Sequence, residues 1–314
     1  MAAEPPAPAP ARFAFIVMGC MPYGADTYPA FERLIAEVNR HRPAFTVHVG
    51  DTKAGAELPT DAYYLRVRDW LNTVEGPVIY TPGDNEWTDV SNPLGWLAKI
   101  RALYFPDERS LGRAPMPLVT QRRDPEFAKF VENARWTHGG VVFATVHVVG
   151  SNNNLLPNTP GAVEEFRERD AADAAWVRAA FAEAKATSAP GIALLFQAEP
   201  FAPHFNPQRG RPSGFTLFLE TIEAEARAFA KPVLLVHADA HRHRIERGIA
   251  FRPGGEPLPN VTRVETFGEK DIHAVMVVVD PASAAVFLPG PMLIPGNTLP
   301  ILPRPPVSAA QKAK

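Results

Sequence analysis

FAFIVMG, FTVHVGD and GPVIYTPGD are short apolar runs that each pass into a glycine turn, and each is followed by a segment with apolar residues at helical spacing. Those segments are TYPAFERLIAEVNRHR, TDAYYLRVRDWLNTV and PLGWLAKIRALYF. Strand and helix signals alternating in this way restrict the chain to parallel strands joined by right-handed helical crossovers. The alternation resumes with GGVVFATVHVVGSNN as a long strand, a helix from about Ala162 to Ala186, the strand GIALLFQAEP, the helix FTLFLETIEAEARAFA and the strand KPVLLVHADAH. After His241 the helical spacing stops, and RHRIE, VTRVETFG, IHAVMVVVD and AAVFLPG read as strands separated by turn residues. The expected fold is one α/β domain with its strands in two layers clad by helices.

Proline sets the boundaries. The chain has 34 prolines, crowded into MAAEPPAPAPAR at one end and PGPMLIPGNTLPILPRPP near the other. Such tracts cannot bury a core, so residues 1–12 are expected to be a flexible tail, 13–288 the folded domain and 289–314 a Pro-rich C-terminal tail. The opening tract suits either a cytoplasmic chain or the mature part of an exported one, and nothing in the sequence specifies an oligomeric state. No apolar run reaches the roughly 18 residues that span a bilayer, so a soluble chain without a membrane span is expected. Lys+Arg number 32 against 34 Asp+Glu, a net charge of -2 that leaves no global field for a nucleic-acid backbone. The single cysteine, Cys20, excludes an internal disulfide and a thiolate-built metal cage.

In an open α/β sheet, functional groups gather in the loops beyond the carboxyl ends of the strands. Here those ends read Gly19-Cys20, Gly50-Asp51, Gly83-Asp84-Asn85-Glu86, Gly150-Ser151-Asn152-Asn153, Gln197-Ala198-Glu199-Pro200 and His237-Ala238-Asp239-Ala240-His241. Carboxylates converging from separate strands repel one another unless protonated or joined by a cation, so a divalent-metal site is the economical reading. A helix-capping role for Asp51 and Asp84 is the bland alternative.

This ordered series resembles a divergent form of the calcineurin-like metallophosphoesterase superfamily, whose pattern is Asp-x-His, Gly-Asp, Gly-Asn-His-Asp/Glu, His and Gly-His-x-His. GDTKAG and TPGDNEWTD are similar to a bacterial branch of that superfamily carrying Gly-Asp-Thr-Lys and Thr-Pro-Gly-Asp-Asn-Glu-Trp. The resemblance covers nearly the whole folded body. It implies a four-layer αββα sandwich of two β-sheets flanked by helices, and a phosphoesterase that hydrolyses a phosphate mono- or diester of a small phosphorylated substrate through a metal-bound hydroxide.

Carried over residue by residue, the resemblance makes Asp51 the aspartate shared by two metal positions. It makes Asp84, Gln197, Asp239, His241 and Cys20 further metal ligands. Asn85 falls where the superfamily has a catalytic histidine; it cannot titrate, and with Lys53 it is left to stabilise phosphoryl charge. Tyr23 and Asn152 are candidate substrate contacts. One or two divalent ions are implied. The oxygen-rich set favours Mg²⁺, Mn²⁺ or Ca²⁺, with Zn²⁺ or Fe²⁺ the alternative if Cys20 ligates. Cys20 stands at an aspartate position and Pro22 at a histidine position, which opens a second reading: a non-catalytic or weakly active binding protein that has lost part of the metal site. A hydrolase using Cys20 as nucleophile is a third, weaker reading. Lys53 is also readable as a surface lysine, His147, His237 and His243 as structural histidines, and Arg122, Arg123, Arg209 and Arg211 as either phosphate contacts or solvated arginines.

Overall fold

The structure, a computed structural model, describes residues 11–201 and 212–298. Most of the expected N-terminal tail, the chain from 299 onward, Arg209 and Arg211 lie outside the described residues.

Two sheets form. The first has the order β12-β11-β1-β2-β3, from β1 (Phe13–Met18), β2 (Thr46–His48), β3 (Val78–Tyr80), β11 (Ala274–Val279) and β12 (Phe287–Met292). β1, β2 and β3 are parallel, in the register Ile16↔Thr46 and Thr46↔Val78, as the βαβαβ alternation requires. The second sheet has the order β4-β5-β6-β7-β8-β10-β9, from β4 (Val119–Thr120), β5 (Ala134–His138), β6 (Val141–Thr145), β7 (Ile192–Leu195), β8 (Val233–His237), β9 (Arg244–Ile249) and β10 (Leu258–Glu265). Its middle strands β6, β7, β8 and β10 are parallel.

The two faces of each strand show how the layers stack. In β7, Ala193 and Leu195 point into the core shared with Phe15, Val17, Phe45 and Val47 of the first sheet. Ile192 and Leu194 point the other way, onto Val177, Phe181, Phe218 and Ile222 of two helices, α5 (Ala162–Ala186) and α6 (Thr216–Phe229). This is the period-two alternation of a strand buried on both faces. Between the sheets, Phe15 stacks on Phe45 at 5.0 Å, and Phe143 meets both edge-on at 5.4 and 5.0 Å.

The outer face of the first sheet is covered by α1 (Tyr28–His41), α2 (Asp61–Leu71) and α3 (Pro93–Tyr104). Phe31, Leu34, Ile35 and Val38 recur at helical spacing along α1 and are all buried. Thr60 caps α2 by accepting the Tyr63 N–H, which fixes where that helix starts. The layers are therefore helix, sheet, sheet, helix, the four-layer αββα sandwich.

Three local features differ from the sequence reading. The expected long strand ends at Thr145, because the His147 N–H is drawn to Asn133 and the His147 carbonyl to Arg169. β5 went unforeseen because ARWTH places Arg135 on the helix-facing side. There its guanidinium lies over the Trp176 ring and reaches Glu183 at 2.5 Å, so a charged residue occupies an apolar position. Lastly, β12 runs to Met292, and Asn297 bonds Arg33 and the Ile272 carbonyl, so packing continues past residue 288. Among the described residues no helix is long and apolar enough to cross a membrane.

Candidate metal centre

The strand ends converge as the topology requires. Asp51 follows β2, Asp84 follows β3 and Asp239 follows β8, and one carboxylate oxygen from each lies within 4.8 Å of the other two. The backbone is bent to bring them there. Cys20, Asp51, Asp239 and His241 all have left-handed φ values, 53°, 58°, 78° and 58°, a conformation that costs side chains other than glycine roughly 1–2 kcal/mol per residue. Gly50, at φ 86°, is needed because a Cβ there would strike the Pro82–Gly83 backbone. A Cβ on Gly83 would strike the Asp51 carboxylate itself.

Asp51 is the hub. Its Oδ1 accepts the Asn85 N–H at 3.1 Å, and its Oδ2 accepts from Gln197 Nε2 at 2.9 Å, Tyr23 Oη at 3.2 Å and the Cys20 thiol at 3.5 Å. Asp239 accepts from Gln197 Nε2 at 3.2 Å and from the Glu199 N–H at 3.0 Å. Asp84 accepts from Ser151 Oγ at 2.9 Å through Oδ2, while its buried Oδ1 has no hydrogen-bond partner. A buried carboxylate oxygen without a donor, set beside two further carboxylates, is an arrangement that a divalent cation would fit.

Electrostatics agree. Burial pushes the Asp51 carboxyl well above the usual carboxylate range, and Asp84, Glu86 and Asp239 push it further. Burial and then Asp239 and Asp89 raise Asp84, and burial raises Asp239. The Cys20 thiol is raised by burial and by Asp51 and Asp239, so it stands beside the carboxylates as a neutral thiol that also accepts the Asp239 N–H at 3.2 Å.

A folded-state pKa above the unfolded one means that the unfolded chain sheds protons first as pH rises. The cation-free protein should therefore lose stability upward from the ordinary carboxylate range, about pH 4. We expect its melting temperature to fall as pH rises from about 5 toward neutrality. A divalent ion at a hundred-fold excess over its Kd should restore roughly 2.7 kcal/mol. A chelated sample whose melting temperature is flat with pH and unmoved by Mg²⁺, Mn²⁺ or Ca²⁺ would contradict this.

Other candidates from the sequence fall around the hub. The Tyr23 hydroxyl lies 3.2 Å from Asn85 Nδ2 and 3.3 Å from His241 Nε2, so Tyr23, Asn85 and His241 form one half-buried cluster on the Asp51 side. His241 and Cys20 lie beside the carboxylate trio rather than in it. Gln197 accepts the Gly150 N–H at 2.6 Å through Oε1, so the face it turns to the carboxylates is its NH₂. Lys53 is buried with Nζ on the Ala54 carbonyl at 2.8 Å; burial lowers its pKa against the pull of Glu86 and Asp51. Asn152 spends its amide on Gly214, Leu155 and Pro212. Arg122 bonds the Phe105 carbonyl and Arg123 pairs with Glu108, both away from the hub.

Several residues without an assigned role in the sequence reading build the site. Glu86 accepts from the N–H groups of Asp51, Thr52 and Gly83 and from the hydroxyls of Thr52 and Tyr80, joining the loops after β2 and β3. His48 accepts the Gly50 N–H and reaches the Met21 carbonyl at 2.9 Å, joining the loops after β1 and β2. Their only sequence signal was polarity within apolar strand ends. A second acidic group, Glu199, His237 and Glu265, also clusters, but Arg263 bonds His237 and Glu199, and Arg244 bonds Glu265 and Glu199. Two guanidinium groups already balance it, and its Glu199 contributes the N–H that bonds Asp239.

Neither a scan against family models nor a search of curated proteins finds a match for the chain. Among solved structures it aligns with PhoD over 88% of its own length and 66% of that chain, at 11% identity and a TM-score of 0.52. The chain is similar in fold to PhoD. Lower-scoring alignments reach TT1561 of Thermus thermophilus (TM-score 0.47, 13% identity, 90% of this chain and 99% of that one) and a Mycoplasma pneumoniae phosphatase (0.42, 10%, 91% and 95%). The chain thus spans slightly less than two thirds of the PhoD chain, and the likeness is one of architecture.

Proposed function

We propose that the chain is a divalent-cation-dependent phosphoesterase acting on a small phosphate mono- or diester, with Asp51, Asp84 and Asp239 holding the ion. The observation that carries this reading is the trio of carboxylates, two buried and Asp239 partly so, delivered by three separate strand ends and leaving Asp84 Oδ1 without a donor. All-oxygen donors suit Mg²⁺, Mn²⁺ or Ca²⁺. A bound ion supplies Lewis-acid polarisation of a phosphoryl oxygen and activation of water.

The chain's own groups do the rest. Asn85 Nδ2, half-buried beside the trio, is a neutral donor suited to non-bridging phosphoryl oxygens as charge builds on them, and Tyr23 Oη, whose one proton lies on Asp51 Oδ2 in the cation-free protein, becomes a second when a cation takes that oxygen. Burial raises the Tyr23 pKa, so its phenol keeps its proton and remains a donor. Lys53, bonded within its own loop, offsets the negative field of Glu86 and Asp51.

The test is turnover of p-nitrophenyl phosphate and bis-p-nitrophenyl phosphate by chelated protein before and after adding each ion. Hydrolysis that appears only with ion, and disappears in Asp84→Asn, supports the proposal. Tight ion binding without hydrolysis of either ester replaces it with the second reading, a binding protein, which the NH₂ face of Gln197 toward Asp51 and Asp239 favours.

A further inference from the structure

Ser151, Asn152, Asn153 and Asn154 have φ values of 49°, 56°, 54° and 61° in succession, and the first three belong to the one-turn segment α4 (Gly150–Asn153). Residues other than glycine visit this region singly, so four in a row persist only if their surroundings impose it. The front of the turn belongs to the site: the Gly150 N–H bonds Gln197 Oε1, and Ser151 Oγ bonds Asp84 Oδ2 at 2.9 Å and Asp89 Oδ1 at 2.7 Å.

What imposes the turn lies behind it. Arg169, fully buried on α5, directs its guanidinium at five acceptors: Nε to Glu165 Oε1 at 2.7 Å, Nη1 to the His147 carbonyl at 2.8 Å and Asn153 Oδ1 at 2.5 Å, and Nη2 to the Asn153 carbonyl at 2.9 Å and Glu165 Oε2 at 3.2 Å. A guanidinium has five N–H groups, and each has an acceptor here. Glu165 in turn accepts Asn154 Nδ2 at 2.8 Å, and the Arg169 guanidinium lies 5.6 Å from the ring of Trp87, three residues past Asp84. One side chain therefore touches both the turn that carries Ser151 and the loop that carries Asp84.

We infer that Arg169 is a positioning residue for the cation site: it locks the left-handed turn 151–154, and through Ser151 it fixes the carboxylate of Asp84. This rests on the reading of Asp84 as a cation ligand. Lysine cannot replace it, because three donors on one nitrogen cannot serve five acceptors spread over a strand end, a turn and a helix.

The test is a calorimetric Mn²⁺ titration of the parent, Arg169→Lys, Ser151→Ala and the double variant, with amide hydrogen exchange of residues 150–154 followed in the cation-free proteins. Arg169→Lys should weaken Mn²⁺ binding about tenfold, Ser151→Ala should weaken it similarly, and the double variant should be no weaker than Ser151→Ala alone. Exchange at 151–154 should rise in Arg169→Lys. If Arg169→Lys does not fold, Asn153→Ala, which removes one Arg169 acceptor, takes its place with the same expectations. Parent-like Mn²⁺ affinity in the folded variant, or two losses that simply multiply, overturns the inference while leaving the cation site in place. A parent that binds no Mn²⁺ removes the cation site, and this inference with it.

Discussion

Glu86→Ala is expected to cost about 5 kcal/mol or more, a large share of what holds a domain folded. The glutamate receives five hydrogen bonds inside the protein. The hydroxyls of Thr52 and Tyr80 can turn elsewhere, but the N–H groups of Asp51, Thr52 and Gly83 are fixed by the backbone. Each buried donor left without an acceptor costs roughly 1–3 kcal/mol. Glu86→Gln should lose less, because it keeps one oxygen while turning an NH₂ toward other donors. Urea unfolding at unchanged slope measures both. A loss under about 1 kcal/mol for the alanine variant would mean that Glu86 does not hold the two loops together.

Asp51→Asn should act in the opposite sense on the empty protein and remove function. The amide keeps the side chain's shape but not its charge. Cation affinity should fall by about a hundred-fold or more, as expected when the carboxylate touching Gln197, Tyr23, Cys20 and Asn85 no longer draws an ion. Without cation the variant should be more stable than the parent near neutral pH, by roughly 0.5–2 kcal/mol, because one of three crowded carboxylates, whose burial and mutual repulsion raise the Asp51 pKa, is gone. A helix cap behaves differently: Asn caps about as well as Asp, so neither change would appear. Parent-like affinity together with parent-like stability would return Asp51 to a capping role.

The sandwich was legible because its strands are apolar on both faces and its helices keep their spacing, so α5 falls where the periodicity places it, Ala162–Ala186. The convergence of Asp51, Asp84 and Asp239 was legible for a different reason. Each lies in the loop just beyond the carboxyl end of a buried strand, and the sheet topology brings those loops together. The supporting shell was not legible. Glu86, His48 and Arg169 act largely through backbone partners, as in the Asp51 N–H on Glu86 35 residues away, and hydrogen bonds to backbone leave no mark on the partner's identity; Ser151 reaches the Asp84 carboxylate 67 residues away, a pairing that only the fold reveals. β5 was hidden by Arg135, whose aliphatic stem and cation–π contact let it stand where an apolar residue was expected. The left-handed turn at 151–154 was hidden as well, since an Asn run signals a turn but not its hand.

The most direct measurement is an anomalous-difference map from crystals grown with Mn²⁺. The account expects a peak bonded by Asp51, Asp84 and Asp239, with Asp84 Oδ1 among its ligands at roughly 2.0–2.3 Å. A well-ordered site with no peak among those three carboxylates, or a peak held elsewhere, would contradict it.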